Sequence, residues 1–380
     1  MFQNKIYLLL FIVLSLVTGC KKTMKETGNI SGISNEIQYA KGFEMYDFEN
    51  FKILKITQPW QGAAETSVYV LANDVNNIPD SLAHLTKVQI PVKSIVVTST
   101  THIPSLVTLN ETTSLKAFPG LDFISSEEVR RLISEDKIKE ISDGIGVNFE
   151  LTIDVNPEVV IANGGNDSFE KYRQIQQAGI PVIYNGDWVE YTPLGKAEWI
   201  KLFGVLYDKE EEATTFFNQV VAEYEKAKQT VSKTTSKPTV FSGAMYEDIW
   251  YAPQGDSWTA QIIADAGGEY VWANHSGTGS LSMAFEQVLD DAQEVEYWIG
   301  PAQFVSYSEM QHTNIHYKEF TAFQTKKIYT YSARKGVTGG LIFYEEATNR
   351  PDILLKDYIC VLHPEVFPEH ELYFLTPLTD

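Results

Sequence analysis

The sequence predicts an α/β protein of two three-layer Rossmann-like lobes with parallel sheets, joined by a single long helix. Short, nearly continuous apolar runs recur in both halves of the chain, as expected of strands that are buried on both faces. Helical stretches with short connections lie between these runs, and that alternation requires parallel strands. A long amphipathic stretch, residues 208–231, separates the two halves.

The first half contains a clear strand–helix–strand pattern. Its helix is predicted at residues 167–178 and ends at Gly179, because glycine readily adopts the left-handed conformation at a helix C-terminus. Ahead of this pattern, residues 48–56 and 67–71 indicate a β-hairpin with a long tip that carries Trp60. The parallel strands predicted in this half are residues 92–98, 159–162 and 181–184.

The middle of the chain is predicted to be helical. Residues 194–206 form one predicted helix, and a second follows over residues 208–231. Asp208 and Glu211 have the spacing of a capping box at the start of the second helix. Apolar residues recur in it at steps of four and three, which predicts one buried stripe. The stripe consists of Ala213, Phe217, Val220, Tyr224, Ala227 and Val231.

The second half repeats the α/β alternation and completes the predicted organisation. Strands are predicted at residues 238–241, 297–299 and 327–331, and helices at residues 257–266, 285–292 and 343–362, the last interrupted by Pro351. The predicted parts are a signal peptide (1–19), a lipidated tether (20–38), an N-terminal lobe that begins with the hairpin (39–207), a linker helix (208–233) and a C-terminal lobe (238–380).

The first twenty residues are typical of an exported lipoprotein. Lys5 precedes an apolar run from Ile6 to Val17, which is too short to cross a bilayer, since a crossing takes about 20 residues. The small pair Thr18-Gly19 directly precedes Cys20, as in a lipobox, although Val17 stands where leucine is usual. We expect lipid on Cys20 and anchoring to a membrane facing the periplasm. The alternative is an ordinary cleaved signal peptide in which Cys20 has no role.

Charge, cysteine content and motifs argue against several classes of function. The net charge of −20 repels phosphate backbones, so we expect no nucleic-acid partner. If Cys20 is lipidated, Cys360 has no disulfide partner within the chain. The sequence contains no G-x-S-x-G, H-E-x-x-H or P-loop motif, so we expect a monomeric binding protein and not an enzyme.

Binding of a free Zn²⁺ or Mn²⁺ ion is the alternative function. Such a site needs three or four histidine and carboxylate ligands that converge. His312 and His316 stand four residues apart and could share a helix face, but no histidine-rich segment accompanies them. We therefore predict no metal-ligating residues.

Segments that follow one another along nearly the whole chain resemble those of one family. They include residues 90–101 (IPVKSIVVTSTT), 156–161 (NPEVVI), 192–200 (TPLGKAEWI), 250–257 (WYAPQGDS) and 363–365 (HPE). Together they resemble the ABC-importer solute-binding proteins for iron complexes and vitamin B12, especially a tryptophan-rich branch found in Bacteroidota.

The resemblance implies a ligand cleft between two lobes, with partners in an ABC permease and its ATPase. The implied ligand is a ferric siderophore, haem or a corrinoid such as cobalamin. Family members dock onto the permease through one surface glutamate on each lobe. Glu286 matches the position on the second lobe. On the first lobe the position follows Gly164-Gly165-Asn166, where Glu170 is the first choice and Asp167 the second.

Aromatic side chains are the main candidates to contact such a ligand, because large ligands are held by aromatic faces and a few polar groups. Trp199 and Trp298 lie inside regular elements and are expected in the core. Four tryptophans lie in predicted loops or at strand ends and are expected in the cleft: Trp60, Trp188, Trp250 and Trp272.

Polar candidates follow predicted strands in both lobes. Thr101 and His102, with Thr100, follow the first parallel strand, at the crevice where α/β proteins bind ligands. For the threonines, capping of the next helix is the alternative. Arg334 follows a strand of the second lobe and could offer a fork of hydrogen bonds to an anionic chelate. A surface ion pair is the alternative there.

Overall fold

The computed structural model describes residues 34–380, except for residues 61, 64–65, 143, 145 and 165–168 and the side chains of residues 169–171. Residues 35–380 form one compact unit. The predictions for the signal peptide, Cys20, Asp167 and the side chain of Glu170 lie outside the described residues. Within the described part, no helix is long and apolar enough to cross a membrane.

A four-stranded sheet precedes the first lobe's parallel sheet. Its strands pair in chain order, and the first three are antiparallel while the last two are parallel. The second and third strands form the predicted hairpin, whose tip carries Trp60. The strands are β1 (Phe43–Asp47), β2 (Lys52–Ile56), β3 (Ser67–Ala72) and β4 (Thr86–Gln89).

The first lobe is built on a five-stranded parallel sheet. The strand order is β7-β6-β5-β8-β9, so the chain starts in the centre and extends to both edges. The sheet comprises β5 (Ile95–Val97), β6 (Leu115–Phe118), β7 (Lys139–Glu140), β8 (Val159–Asn163) and β9 (Val182–Asn185). Its helices are α1 (Ile103–Thr108), α2 (Glu127–Ser134), α3 (Phe149–Val155) and α4 (Phe169–Gln177).

The central helices confirm the predicted stripe, whereas the first predicted helix is divided and the second begins two residues later than predicted. All six stripe residues are buried in helix α7 (Glu210–Val231). The predicted helix 194–206 is two helices, α5 (Pro193–Glu198) and α6 (Ile200–Leu206), divided at Trp199. The capping box is wrong. Asp208 has a φ of 57° and lies in the turn after α6, where the Lys209 N–H donates to the Gly204 carbonyl at 2.8 Å.

The second lobe is built on another five-stranded sheet, in the order β13-β10-β15-β16-β17, parallel except for the last strand. A small antiparallel sheet, β11-β12-β14, lies beside it and was not predicted. The strands are β10 (Thr239–Phe241), β11 (Ala244–Tyr246), β12 (Ile249–Pro253), β13 (Glu269–Tyr270), β14 (Ser280–Met283), β15 (Tyr297–Ile299), β16 (Ile328–Thr330) and β17 (Thr376–Pro377). The helices are α8 (Trp258–Asp265), α9 (Phe285–Ala292), α10 (Tyr307–Thr313), α11 (Thr321–Gln324), α12 (Ile342–Glu346) and α13 (Pro351–Leu362).

A buried carboxylate at the end of α5 holds the N-terminal segment against the first lobe. Glu198 is fully buried, and its carboxylate accepts hydrogen bonds from the backbone N–H groups of Gln38, Tyr39 and Ala40 at 2.6–3.0 Å. The Lys201 ammonium pairs with the same carboxylate at 2.7 Å. The backbone of residues 38–40 therefore finds its hydrogen-bond partners in a side chain about 160 residues away in the chain.

Candidate ligand cleft

Both parallel sheets direct the carboxyl ends of their strands into one cleft, as expected for ligand sites in α/β folds. The part next to the first lobe, here the first chamber, has a volume of about 880 Å³. Thr98 follows β5, Pro119 follows β6, Ser142 follows β7 shortly after its end, and Asn163 ends β8; all four residues line this chamber.

The part next to the second lobe, here the second chamber, has a volume of about 520 Å³. Ser242 follows β10, Gly300 follows β15 and Tyr331 follows β16, and all three line this chamber. Gln303 and Tyr344 line both chambers. The two chambers are therefore adjoining parts of one cleft.

The charge of the cleft differs from that of the whole protein. The chain has 50 acidic and 30 basic residues, yet no aspartate or glutamate is among the described residues that line either chamber. Lys335, in the first chamber, is the one charged residue among those described linings. Such a cleft suits a neutral or anionic ligand, because a cation would find no carboxylate here.

Aromatic rings dominate the second chamber. Strands β11 and β12 pair Tyr246 with Ile249 and Ala244 with Tyr251, which places these side chains on one face of the small sheet. Tyr246 is 69% exposed and Tyr251 is 40% exposed. Burial and the neighbouring Tyr344 hydroxyl raise the pKa of Tyr331, so its phenol stays protonated. Seven aromatic residues line the chamber: Tyr246, Tyr251, Trp258, Tyr331, Phe343, Tyr344 and Tyr358.

A segment of the second lobe, residues 334–346, reaches across the cleft to the first lobe; we call it the strap. The buried Glu345 carboxylate accepts hydrogen bonds from the backbone N–H groups of Ser125 at 2.5 Å and Ser126 at 2.9 Å. The Ser125 hydroxyl donates to the Gly340 carbonyl at 3.0 Å, and the Thr338 hydroxyl donates to the Asp122 carbonyl at 2.8 Å. These bonds join the two lobes at the edge of the first chamber.

Glycine is required where the strap touches the first lobe. A Cβ atom on Gly340 would lie 2.2 Å from the Phe123 carbonyl oxygen, and one on Gly336 would lie 2.8 Å from the Ser125 Cα. Both contacts are shorter than van der Waals distance, and the first meets rigid backbone. The strap can therefore approach this closely only because these side chains are absent.

A second contact between the lobes involves a buried cation. The Lys196 ammonium of α5 donates to the carbonyls of Asp187 and Trp188 at 2.8 and 3.0 Å. It also lies 5.2 Å from the ring centre of Trp258 in the second lobe, a cation–π contact. Burial lowers the pKa of Lys196 to about 8.

The polar residues predicted after the first parallel strand lie in the right region, but with different roles. Thr98, Ser99 and Thr100 line the first chamber, whereas Thr101 belongs to the turn that Ser99 caps. His102 is fully buried and packs near Phe203, so it is a core residue and not a cleft residue. Burial lowers its pKa to about 4, which keeps the ring neutral.

Two of the four candidate tryptophans lie outside the core but do not line the chambers. Trp60 packs edge-to-face against Tyr184, which packs against Tyr172 of the first chamber. The hairpin tip thus supports the cleft wall from behind. Trp188 is 42% exposed and belongs to the turn whose carbonyls bind Lys196.

Trp250 and Trp272 are core residues, which corrects their assignment to the cleft. Trp250 is fully buried and its indole N–H donates to the Ser242 carbonyl at 3.1 Å. The Trp272 indole N–H donates to the Asp291 carboxylate at 3.0 Å, and the ring is also buried. The expected core positions of Trp199 and Trp298 are confirmed.

The remaining candidates lie on the surface. Arg334 stacks over the Tyr373 ring at 5.0 Å and is not among the residues that line the chambers, so its neighbour Lys335 supplies the positive charge. Glu286 is exposed in the first turn of α9, a position that leaves it free to meet another protein. The docking role of Glu286 stays a prediction.

The described residues contain no group of three or more histidine, cysteine, aspartate or glutamate residues that could hold a metal ion. His312 lies in α10 and its ring contacts the Ser308 carbonyl, whereas His316 pairs with Glu319 at 2.5 Å. Both histidines of the alternative considered in the sequence thus contact other groups, and neither is among the described residues that line the cleft.

Tyr246, Tyr251, Tyr344 and Lys335 line the cleft but are not among the residues predicted from the sequence. The burial of residues 249–253 alternates as in a half-buried strand, but their sequence, IWYAP, contains no charged or strongly polar residue, so no local pattern separates the two faces. The alternation places Tyr251 on the open face and Trp250 on the core face. The prediction that loop tryptophans line the cleft therefore names Trp250 in place of its neighbour Tyr251.

The chain is similar to known periplasmic binding proteins. It matches the family described as "Periplasmic binding protein" over residues 95–334. A relative, the uncharacterized lipoprotein MJ0878 of Methanocaldococcus jannaschii, is 24% identical over 403 residues, which cover 97% of this chain and 94% of that protein.

Solved structures share the fold. An ABC transporter substrate-binding protein from Listeria monocytogenes is 18% identical with a TM-score of 0.53, over 72% of this chain and 100% of that one. A periplasmic heme binding protein from Pseudomonas aeruginosa is 11% identical with a TM-score of 0.57, over 76% of this chain and 99% of that one. At these identities the similarity establishes the fold alone.

Proposed function

The chain belongs to the periplasmic binding protein family, and from that premise we propose that it is the substrate-binding lipoprotein of an ABC importer. In this proposal it captures an iron chelate, either a siderophore complex or haem, or a corrinoid, and delivers it to the permease. Lipid on Cys20 anchors it to the membrane at the periplasmic face. The protein binds and releases its ligand and performs no chemistry on it.

The observation that carries this proposal is the chemistry of the cleft. Its second chamber is lined by seven aromatic residues, and the described lining of both chambers contains no acidic residue. A bare cation would need carboxylate or imidazole ligands, whereas a chelate hides its metal inside an organic shell that aromatic faces can hold. The cleft volume is also far larger than an ion requires.

Ligand binding is tested with a panel of purified compounds. The protein is mixed with haemin, a ferric catecholate, a ferric hydroxamate and cyanocobalamin, with Zn²⁺ and Mn²⁺ as comparison ions. We expect one chelate to quench tryptophan fluorescence, since Trp258 lines the cleft, and to raise the melting temperature. A rise in melting temperature with Zn²⁺ or Mn²⁺ alone would contradict the proposal.

A pair of variants locates that binding in the cleft. A Cβ atom on Gly146, in the first chamber, meets no atom within 4 Å. Gly146→Trp should therefore fold but fill the chamber and weaken binding by roughly 100-fold or more, equivalent to about 2.7 kcal/mol. Gly146→Ala is the matched control and should bind as the unaltered protein does.

Delivery to the permease is tested separately. Glu286→Ala should leave ligand affinity unchanged and abolish ligand uptake by cells, because the exposed carboxylate is proposed to meet an arginine of the permease. Asp290→Ala, exposed one turn later on α9, is the control and should keep uptake. Weaker ligand binding by the Glu286 variant, or uptake that survives, would exclude the docking role.

A further inference from the structure

The two chambers differ in chemistry, and this difference bears on the ligand that the proposed function leaves open. Five serine and threonine residues line each chamber, so hydroxyl groups do not distinguish the two. The first chamber adds Lys335 and four aromatic residues, Phe118, Phe123, Tyr172 and Tyr344. The second chamber has seven aromatic residues and no charged residue among its described lining. A molecule that fills both chambers is matched best when its charged group lies in the first chamber and its most aromatic part lies in the second.

Lys335 is available to an anionic group of a ligand. It forms no ion pair with any described residue, although the chain carries 50 acidic residues. Its backbone is fixed by an antiparallel bridge to Leu341 at the base of the strap. The Lys335 side chain is exposed, and its positive charge in a chamber whose described lining has no acids favours anionic over neutral ligands.

The aromatic wall of the second chamber is rigid. Tyr251 pairs through its backbone with Ala244 on one side and Ser282 on the other. A Cβ atom on Gly243 would lie 2.0 Å from the Tyr251 carbonyl oxygen, so the close approach of these backbones depends on glycine at this position. A ring that is 40% exposed on such a fixed backbone presents its face to a ligand with little loss of conformational freedom.

Resting on the proposed function, we propose that the ligand is an anionic chelate with a planar aromatic or conjugated part, bound in a fixed orientation. The planar part lies in the second chamber against Tyr251 and Tyr246, and the anionic edge lies in the first chamber against Lys335. Haem and ferric catecholates share this chemistry. A corrinoid with its neutral amide edge and a hydroxamate complex without aromatic rings do not.

The ligand class is tested by titrating the full chain with haemin, a ferric tris-catecholate, a ferric trihydroxamate and cyanocobalamin. We expect haemin or the catecholate to bind roughly 100-fold more tightly than the other two. Whichever of the two binds more tightly shows whether the ligand is haem or a catecholate siderophore complex. Tightest binding of cyanocobalamin or the hydroxamate would overturn this inference and leave the proposed function intact. Binding of none of the four would overturn both.

The orientation is tested with two variants and an uncharged ligand. Tyr251→Ala should weaken binding roughly tenfold, while Tyr251→Phe, which keeps the ring, should restore it.

Lys335→Gln should weaken binding of the anionic chelate roughly tenfold and abolish its salt dependence. If the ligand is haemin, the same variant should leave binding of haem dimethyl ester unchanged. Equal losses for the charged and uncharged forms, or no loss for either, would overturn the orientation.

Discussion

Replacement of Glu198 by alanine is expected to lower the free energy of unfolding by about 3 kcal/mol or more. The carboxylate is fully buried, and the variant leaves three backbone N–H groups of residues 38–40 without their acceptor. It also leaves the ammonium of Lys201, which is largely buried, without its partner. Urea denaturation followed by circular dichroism measures the change.

The Glu198 variant should also release the N-terminal segment before the rest of the protein unfolds. Hydrogen exchange at the amides of Gln38, Tyr39 and Ala40 should accelerate, because these amides lose their acceptor. Glu212→Ala, at an exposed position of α7, is the matched control and should change stability by less than about 0.5 kcal/mol. A Glu198→Ala loss of the same size as the control's would contradict this account.

Much of the fold could be predicted because local patterns specify it. The buried strands are apolar on both faces, and the stripe of α7 repeats at helical spacing. Both patterns can be recognised without knowing which elements pack against them. The same reasoning located the cleft, since parallel strands necessarily bring their carboxyl ends to one edge of a sheet. Thr98, Ser99 and Thr100 were accordingly found close to where Thr101 and His102 had been expected.

The features that were missed depend on contacts between distant residues. The helix 194–206 is divided at Trp199, whose indole N–H donates to the Glu190 carboxylate, and no local pattern encodes that bond. The small sheet pairs β12 with β14, about thirty residues away, so β12 could not be recognised as part of a sheet. Trp250 was misassigned for the same reason: its burial follows from the side of that sheet on which it lies.

Docking of the strap on the first lobe is expected to depend strongly on pH, because the titratable Glu345 carboxyl makes the contact. Burial raises the pKa of the Glu345 carboxyl to about 7, and Glu346 adds to the rise, while the N–H groups of Ser125 and Ser126 act in the opposite direction. When the strap leaves the first lobe, the carboxyl returns to water and to its ordinary pKa of 4.5. Between about pH 4.5 and pH 7 the docked strap therefore holds a proton that the released strap has lost.

The sign of the pH dependence follows from this difference. A group whose pKa is raised in the docked state favours docking below its ordinary pKa, and the effect is lost as the pH rises through about 7. Docking should therefore be stronger at about pH 5 than at about pH 8, by at most about 3 kcal/mol. Ligand affinity should follow the same trend, because strap residues line the first chamber.

Hydrogen exchange at Ser125 and Ser126, corrected for intrinsic rates, measures docking directly, since both amides donate to Glu345. Protection should fall from about pH 5 to about pH 8 in the unaltered protein and stay constant in Glu345→Gln, which cannot titrate. Gly340→Val should lose protection at every pH, because its Cβ would lie 2.2 Å from a carbonyl oxygen of the first lobe. Glu371→Gln, at an exposed position, is the matched control for the charge. Protection that rises with pH, or that still falls in Glu345→Gln, would show that another group controls the strap.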